Sequence, residues 1–180
     1  MFELSSTEVP NLHIRTERAE DRREVRSVNI AAFGRADEAG LVEALHAEGA
    51  VLLSIVAAIE NRIAGHILFS RMHIETDTGL LSAVALAPVA VLPEFQRRGI
   101  GSRLIQHGIE ALRDRGERIL IVLGHPAYYS RFGFSVSMAA GLASPFPPEA
   151  YMAMELAPGA LDVVRGTVRY ARAFGLQAPS

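Results

Sequence analysis

Residues 91–104 read VLPEFQRRGIGSRL. Two adjacent arginines, Arg97 and Arg98, meet Gly99 and Gly101, with Ile100 between the glycines and Ser102 and Arg103 just after them. The stretch joins an apolar run to a helix-like pattern, so it reads as a strand–helix turn. The first turn of a helix carries backbone N–H groups with no acceptor, and the helix dipole adds positive charge there. Glycine lets a bulky group come close to the main chain and takes positive φ where the turn requires it. Arginines add charge from the edges. A phosphorylated ligand suits this combination, and a plain turn with solvated arginines is the alternative. A second chemical stretch is YSRFGF, residues 129–134. The Tyr129 phenol, with an ordinary pKa of about 10, holds a proton at neutral pH and can give it to a leaving group. Tyr128 beside it reads as an interfacial aromatic. His66, His73, Glu75 and His125 are the groups that could accept a proton, and none of them stands out as a base.

Three phosphate-binding patterns compete for the turn. G-x-x-x-x-G-K-[ST] does not occur in the chain. G-x-G-x-x-G fits Gly99 and Gly101 but meets Leu104 at its third glycine. Q/R-x-x-G-x-G/A is matched in full by Gln96-Arg97-Arg98-Gly99-Ile100-Gly101.

Positioning such a turn requires particular elements around it. NLHIR is a first strand. RAEDRREVRSVNIAAF sets Val25, Val28, Ile30 and Phe33 near one helical face, and DEAGLVEALHAEG makes a second helix with Leu41, Val42 and Leu45 inward. AVLLSIVAAIENRIAGHILFSRMHIE is two strands around Glu60-Asn61. LLSAVALAPVAVLP is a buried strand whose Pro88 implies a bulge or local splaying. The helix after the turn buries Leu104, Ile105, Gly108, Ile109 and Leu112, and RILIVLG is a strand parallel to the one before it, completing a right-handed βαβ unit. HPAYYSRFGF is a helical turn running into a strand, AAGLASPFPPEA is a surface loop, and YMAMEL is the last strand. A short strand or helix is expected near Val168–Phe174. Asp114 and Glu117 read as a solvated helix end. The whole is an α/β (α+β) fold with a mixed, mostly antiparallel sheet. It is expected to be one domain over 1–180, with a flexible lead at 1–10 and a C-terminal extension at 157–180.

On these motifs the chain resembles the GNAT superfamily of acyl-CoA-dependent N-acetyltransferases, and looks like its YhbS-like branch. The motifs are the QRRGIG loop, Val91-Leu92-Pro93 before it, and the Y-x-x-x-G-F string of Tyr129, Gly133 and Phe134. The likeness covers roughly Leu12 to Leu156. It implies that the loop amides hold the pyrophosphate of acetyl-CoA (coenzyme A), that a main-chain N–H near Val91 or Leu92 polarises the thioester, and that Tyr129 is the general acid. It implies direct transfer of acetyl to a primary amine in a ternary complex. A non-catalytic acyl-CoA-binding module on the same fold is the alternative. One departure is Gly124-His125-Pro126, where many members carry an asparagine that touches the cofactor. The acceptor side of such sites lies near Phe33–Leu45 and Gly141–Glu149, where Phe146 suggests an apolar wall. A small-molecule or short-peptide amine is favoured, and an exposed last strand or the tail could pair across a homodimer.

Composition bounds the rest. The net charge of −2 gives no basic excess of the kind a nucleic-acid binder concentrates. With no cysteine, a thiol nucleophile, a cysteinyl acyl-enzyme, a disulfide framework and a cysteine zinc site are all excluded. No H-E-x-x-H occurs, and no metal is expected. No signal pattern or bilayer-length apolar run is seen, so the expectation is a cytoplasmic protein away from membranes.

Overall fold

The structure is a computed structural model and describes residues 9–176 of the chain. In chain order it contains β1 (Leu12–Thr16), α1 (Arg22–Phe33), α2 (Asp37–Glu48), β2 (Val51–Ile59), β3 (Arg62–Thr76), β4 (Gly79–Val91), α3 (Ile100–Asp114), β5 (Ile119–Leu123), α4 (Pro126–Tyr129), β6 (Leu142–Ala143), β7 (Tyr151–Glu155) and β8 (Gly166–Arg169). One sheet runs β1-β2-β3-β4-β5-β7. Along that path the pairs are antiparallel except β4 with β5, which the α3 crossover makes parallel. This is the mixed α/β architecture, mostly antiparallel, that the sequence implies. β2 reaches along β3 only to Ser70, and β8 takes its place beside His73–Glu75. β8 also pairs with β6.

Three apolar clusters fill the two faces. On one face α3 lays Ile100, Leu104, Ile105, Ile109 and Leu112 on Ile55, Phe69, Val84 and Leu86. On the other, α1 and α2 cover the β1–β4 half with Val25, Val28, Val42 and Leu45 against Val56, Ile63, Leu68 and Ala90. The β5–β7 half of that face is covered by the chain after α4, through Leu142, Leu161 and Val168.

The feature that matters most for the site is a register change in β4. Ile67 pairs with Val89 but Phe69 pairs with Leu86, so Leu68 faces both Ala87 and Pro88. Such a bulge changes which residues point to which face. Val84 and Leu86 face α3 before it, and Val89 and Val91 face the same side after it. Ala90 and Leu92 turn instead toward α1 and α2.

Several expectations are corrected. Phe33 is 39% exposed, and Asn29 takes the buried place on α1 beside Val25 and Val28. On α2, Ala39 joins Val42 and Leu45, and Leu41 is only half-buried. The strand expected after Phe134 is reduced to a single bridge between Ser135 and Ala153. The Met138 N–H donates to Ser135 Oγ, which starts a tight turn and stops the ladder. The loop after it contains β6, and β7 is not the last strand, because β8 follows. The tail expectation holds twice, as β8 and as a 3-10 turn at Arg172–Phe174. Most of the expected flexible lead falls on residues 1–8, outside the described residues, while Val9 packs on the α3-side core. Glu117 is not a solvated helix end. It accepts two hydrogen bonds from Arg71, at 2.9 and 2.6 Å, and ties β3 to the start of β5.

Gly108 is where α3 comes closest to the sheet. A Cβ built there would lie 2.2 Å from the Phe69 ring. Gly108→Val should therefore destabilise the fold by about 2–3 kcal/mol through overpacking, despite relieving a helical glycine. Urea unfolding of the two proteins measures it, with Gly40→Val, whose added Cβ meets nothing within 4 Å, as the control.

Candidate active site

After Pro93 a short 3-10 turn ends at Phe95, and the chain then makes the loop that starts α3. Arg97 has φ +61° and Gly99 φ +76°. Left-handed residues alternating with ordinary ones turn successive N–H groups toward one hollow. The Gln96 N–H returns to the Pro93 carbonyl and the first α3 bond runs from the Arg103 N–H to the Gly99 carbonyl. Between them, the N–H groups of residues 97–102 have no acceptor among the described residues. Gly99 is needed for its φ, since a Cβ there would meet open space. Gly101 is needed for proximity, because a Cβ there would lie 3.1 Å from the Tyr128 hydroxyl.

These groups line a cavity of about 460 Å³. Of the residues singled out by sequence, Val91, Gln96, Arg97, Gly99, Ile100, Gly101 and Ser102 are on its wall. Leu92, Arg98, Arg103 and Tyr129 are not. The Arg98 guanidinium lies 5.6 Å from the centre of the Phe95 ring, which is itself on the wall. Arg103 is exposed on α3. Sequence reasoning missed Val89, Phe95, Tyr128 and Arg131 on the wall. Arg131 was detectable by spacing: three residues past Tyr128, it sits 4.5 Å from that ring's centre, and its Nε donates to the Tyr128 carbonyl. Free amides and two arginines around one cavity fit a phosphorylated group, with Arg97 and Arg131 supplying the charge.

The cavity opens toward a gap in the sheet. β4 and β5 pair only at Val84–Leu120 and Ala85–Ile121, and β4 then runs on to Val91 without a partner on that side. Leu92 donates its N–H to the Ala64 carbonyl at 2.8 Å, so it is not free to polarise anything. By the alternation of an antiparallel ladder, Val91 then points its N–H and C=O away from β3 into the gap. Gln96 Nε2 donates to the Val91 carbonyl at 3.0 Å. The Val91 N–H is left as a donor with no acceptor among the described residues.

The two tyrosines of α4 divide. Tyr128 faces the cavity, against the expectation of a merely interfacial ring. Tyr129 is 9% exposed, with its ring edge-on to Phe134 and pressed on Gly124. Its hydroxyl makes no hydrogen bond among the described residues, yet it is not among the fully enclosed unpartnered atoms, so it reaches an accessible edge. Burial first, and Tyr128 second, push its pKa up to about 12. The phenol keeps its proton across the working pH range.

The structure sets the basic candidates in different places. His73 pairs with Ser82, nine residues back along β4 from Val91, which is about 30 Å at strand rise. Glu75 is at the same far end and accepts from Arg169 at 2.6 Å. His125 is exposed at the start of α4. His66 is fully buried under α1. Asn29 Nδ2 donates to the Val25 carbonyl and faces His66 Nδ1 at 3.1 Å, so Nδ1 accepts and the ring proton is on Nε2. Nε2 meets Ser54 Oγ at 2.9 Å, and Ser54 donates to Glu17. Burial pushes the His66 pKa down to about 3, with His46 adding to it.

Comparisons with known proteins give the family. The acetyltransferase (GNAT) domain family matches residues 13–137. The chain belongs to the GNAT acetyltransferase family. It is 42% identical to YjhQ of Escherichia coli K12, described as an uncharacterised N-acetyltransferase, over 74% of this chain and 76% of that one. Its structure matches the crystal structure of the GNAT family N-acetyltransferase YhbS from Escherichia coli in complex with CoA. There the TM-score is 0.86 at 29% identity, over 93% of this chain and 94% of that one. It also matches a GNAT family acetyltransferase from Brucella melitensis in complex with acetyl-CoA, with a TM-score of 0.77 at 36% identity, over 91% and 97% of the two chains. Acetyl-CoA is the acyl donor of this family, and CoA or acetyl-CoA occupies both of those structures. No helix among the described residues is long and apolar enough to cross a membrane.

A pH dependence of stability follows from His66. Its folded pKa is below the unfolded value of about 6.5, so the unfolded chain binds the extra proton between those two values and stability falls as pH falls. From pH 7 to pH 5 this one group should cost about 2 kcal/mol. Urea unfolding at the two pH values checks it. His66→Gln should be less stable at pH 7 but should lose that much less on acidification.

Proposed function

We propose that this protein transfers the acetyl group of acetyl-CoA to a primary amine by direct attack in a ternary complex. The observation that carries the reading is the run of unsatisfied N–H groups at residues 97–102, set beside a sheet gap that presents the Val91 N–H. The Gln96–Gly101 loop, extended by Ser102, holds the pyrophosphate through the free amides of residues 97–102. Arg97 lies closest to its charge, Arg98 and Arg103 act at longer range, and Arg131 joins from α4. The pantetheine arm lies along the unpaired edge of β4, with Leu92 keeping that edge in register. The Val91 N–H donates to the thioester carbonyl oxygen, a preorganised contact that contributes about 3 kcal/mol in such sites. Gln96, by occupying the Val91 carbonyl, leaves only the donor facing the acyl group. As the amine nitrogen bonds to the acyl carbon and the carbon–sulfur bond breaks, Tyr129 gives its hydroxyl proton to the departing thiolate. The amine must be neutral to attack, and the proton its nitrogen sheds on bonding passes through solvent to the Tyr129 phenolate, which restores the acid.

Calorimetric titration with acetyl-CoA, with NADH and ATP as controls, tests the donor site. Selective binding with a micromolar Kd, about −8 kcal/mol, is the expected result. Binding of none of the three would overturn the reading. Tyr129→Phe should leave acetyl-CoA affinity unchanged and lower kcat by roughly 10²-fold or more. Tyr128→Phe, measured alongside, separates the two phenols: if it alone loses turnover, the acid is Tyr128.

A further inference from the structure

Gly124 joins β5 to α4, and its backbone does not ask for glycine. It is not among the residues with positive φ, so the main chain there suits any side chain. Its N–H donates to the Ala150 carbonyl at 3.0 Å, which fixes it against the chain that leads into β7. Space is what demands glycine. A Cβ built on Gly124 would overlap the Tyr129 ring at Cε2, and would lie 2.8 Å from Cδ2 and 3.4 Å from Cζ, the carbon that bears the hydroxyl. The ring therefore rests on bare backbone along the edge that leads to its hydroxyl. Two more contacts complete this seat. The Tyr128 ring stands edge-on with centres 5.0 Å apart and planes at 88°, and the Phe134 ring edge-on at 5.7 Å and 85°. The Tyr129 N–H donates to the His125 carbonyl at 3.1 Å and holds the backbone in α4. No polar group among the described residues meets the hydroxyl. A phenol without such a partner is aimed by the shape around its ring.

Resting on the reading of Tyr129 as the acid, we propose that Gly124 is a positioning residue for the transfer: by leaving its side unfilled, it sets where the Tyr129 hydroxyl comes to lie. It acts through that ring alone, since Gly124 is not on the wall of the 460 Å³ cavity. Proton transfer needs its donor and acceptor within hydrogen-bond reach. A methyl group at 124 drives the ring off its seat by roughly 1 Å before ordinary contact is restored, and a misplacement of that size can cost about 10²-fold in rate. The free amides of residues 97–102 and the Val91 N–H belong to the end of β4 and the start of α3, and they keep their places. Holding acetyl-CoA and delivering the proton therefore separate at this one position.

The test is a double-mutant cycle of Gly124→Ala and Tyr129→Phe. It is read as CoA release from saturating acetyl-CoA with hydroxylamine as the acceptor, a primary amine small enough to reach any open acyl group. Gly124→Ala alone should lower kcat by about 10²-fold and leave the calorimetric Kd for acetyl-CoA unchanged. In the Tyr129→Phe protein, which has no proton to misplace, the same substitution should change kcat by no more than about threefold. General damage lowers kcat in both backgrounds alike, so equal losses overturn the proposal. A Gly124→Ala protein with the wild-type kcat also overturns it, while the acid stands if Tyr129→Phe has lost turnover. If Tyr129→Phe keeps its turnover, the acid itself is wrong and Gly124 has nothing to position. Phe134→Leu decides the matter if Gly124→Ala does not fold. It loosens another wall of the seat and should lower kcat by about fivefold, again only where the Tyr129 hydroxyl is present. No loss, or the same loss in both backgrounds, overturns the proposal. A wild-type protein that binds acetyl-CoA but releases no CoA to hydroxylamine brings down the transfer reading and this one with it.

Discussion

The register change at Ala87–Pro88 is the constraint on which the site depends. One residue of β3 faces two of β4, so the side-chain alternation of β4 shifts by one at that point. Without the shift, Val89 and Val91 would sink under α1 and α2, and Ala90 and Leu92 would face α3. With it, apolar walls continue on the α3 side into the cavity, while Leu92 still anchors the other face. The same irregularity lies where β5 stops following β4, after Ala85. Proline has no N–H to give to either ladder, so the strand can leave its neighbour there without stranding a donor. The gap, the free Val91 N–H and the direction from which α3 begins are consequences of one local misfit.

The Gln96–Ser102 loop is built on top of that end of β4, and it links two elements that must not move apart. Gln96 reaches back to Val91, while the Arg103 N–H closes α3 onto Gly99. The loop amides and the strand donor are therefore held in one frame. A ligand that spans both has its charged and reactive ends fixed by the same few residues, which is how binding energy far from the chemistry can serve orientation.

What could be read from the sequence follows from how local each feature is. The α3 stripe was legible in full, because Leu104, Ile105, Gly108, Ile109 and Leu112 recur at helical spacing within one element. The loop was legible as a strand–helix turn with free amides because its glycines and arginines are contiguous. Pro88 announced a bulge, but not which way the strand would turn afterwards. Hence Leu92 was paired with Val91 as a free donor, although its N–H belongs to Ala64. Adjacent residues on a helical turn face directions about 100° apart, and composition could not tell which of Tyr128 and Tyr129 would line the cavity. Glu117 and Arg71 are 46 residues apart, and their pairing depends on sheet register alone. Phe33 looked like a core residue by period, yet α1 turns Asn29 inward to meet His66, and the stripe rotates accordingly.

That Asn29–His66 contact also holds the histidine nearest the β3–β4 register change on the covered face. His66 pairs with Ala90, one residue from Val91, but on the covered face. Both ring nitrogens are committed: Nδ1 accepts from Asn29, and Nε2 donates to Ser54. A ring so placed has no free lone pair to offer and strongly resists a second proton. Its work is to tie α1 to β2 and β3 through a buried polar chain that apolar packing could not orient. The open end of β4 thus presents the Val91 N–H, while His66 stays on the covered face.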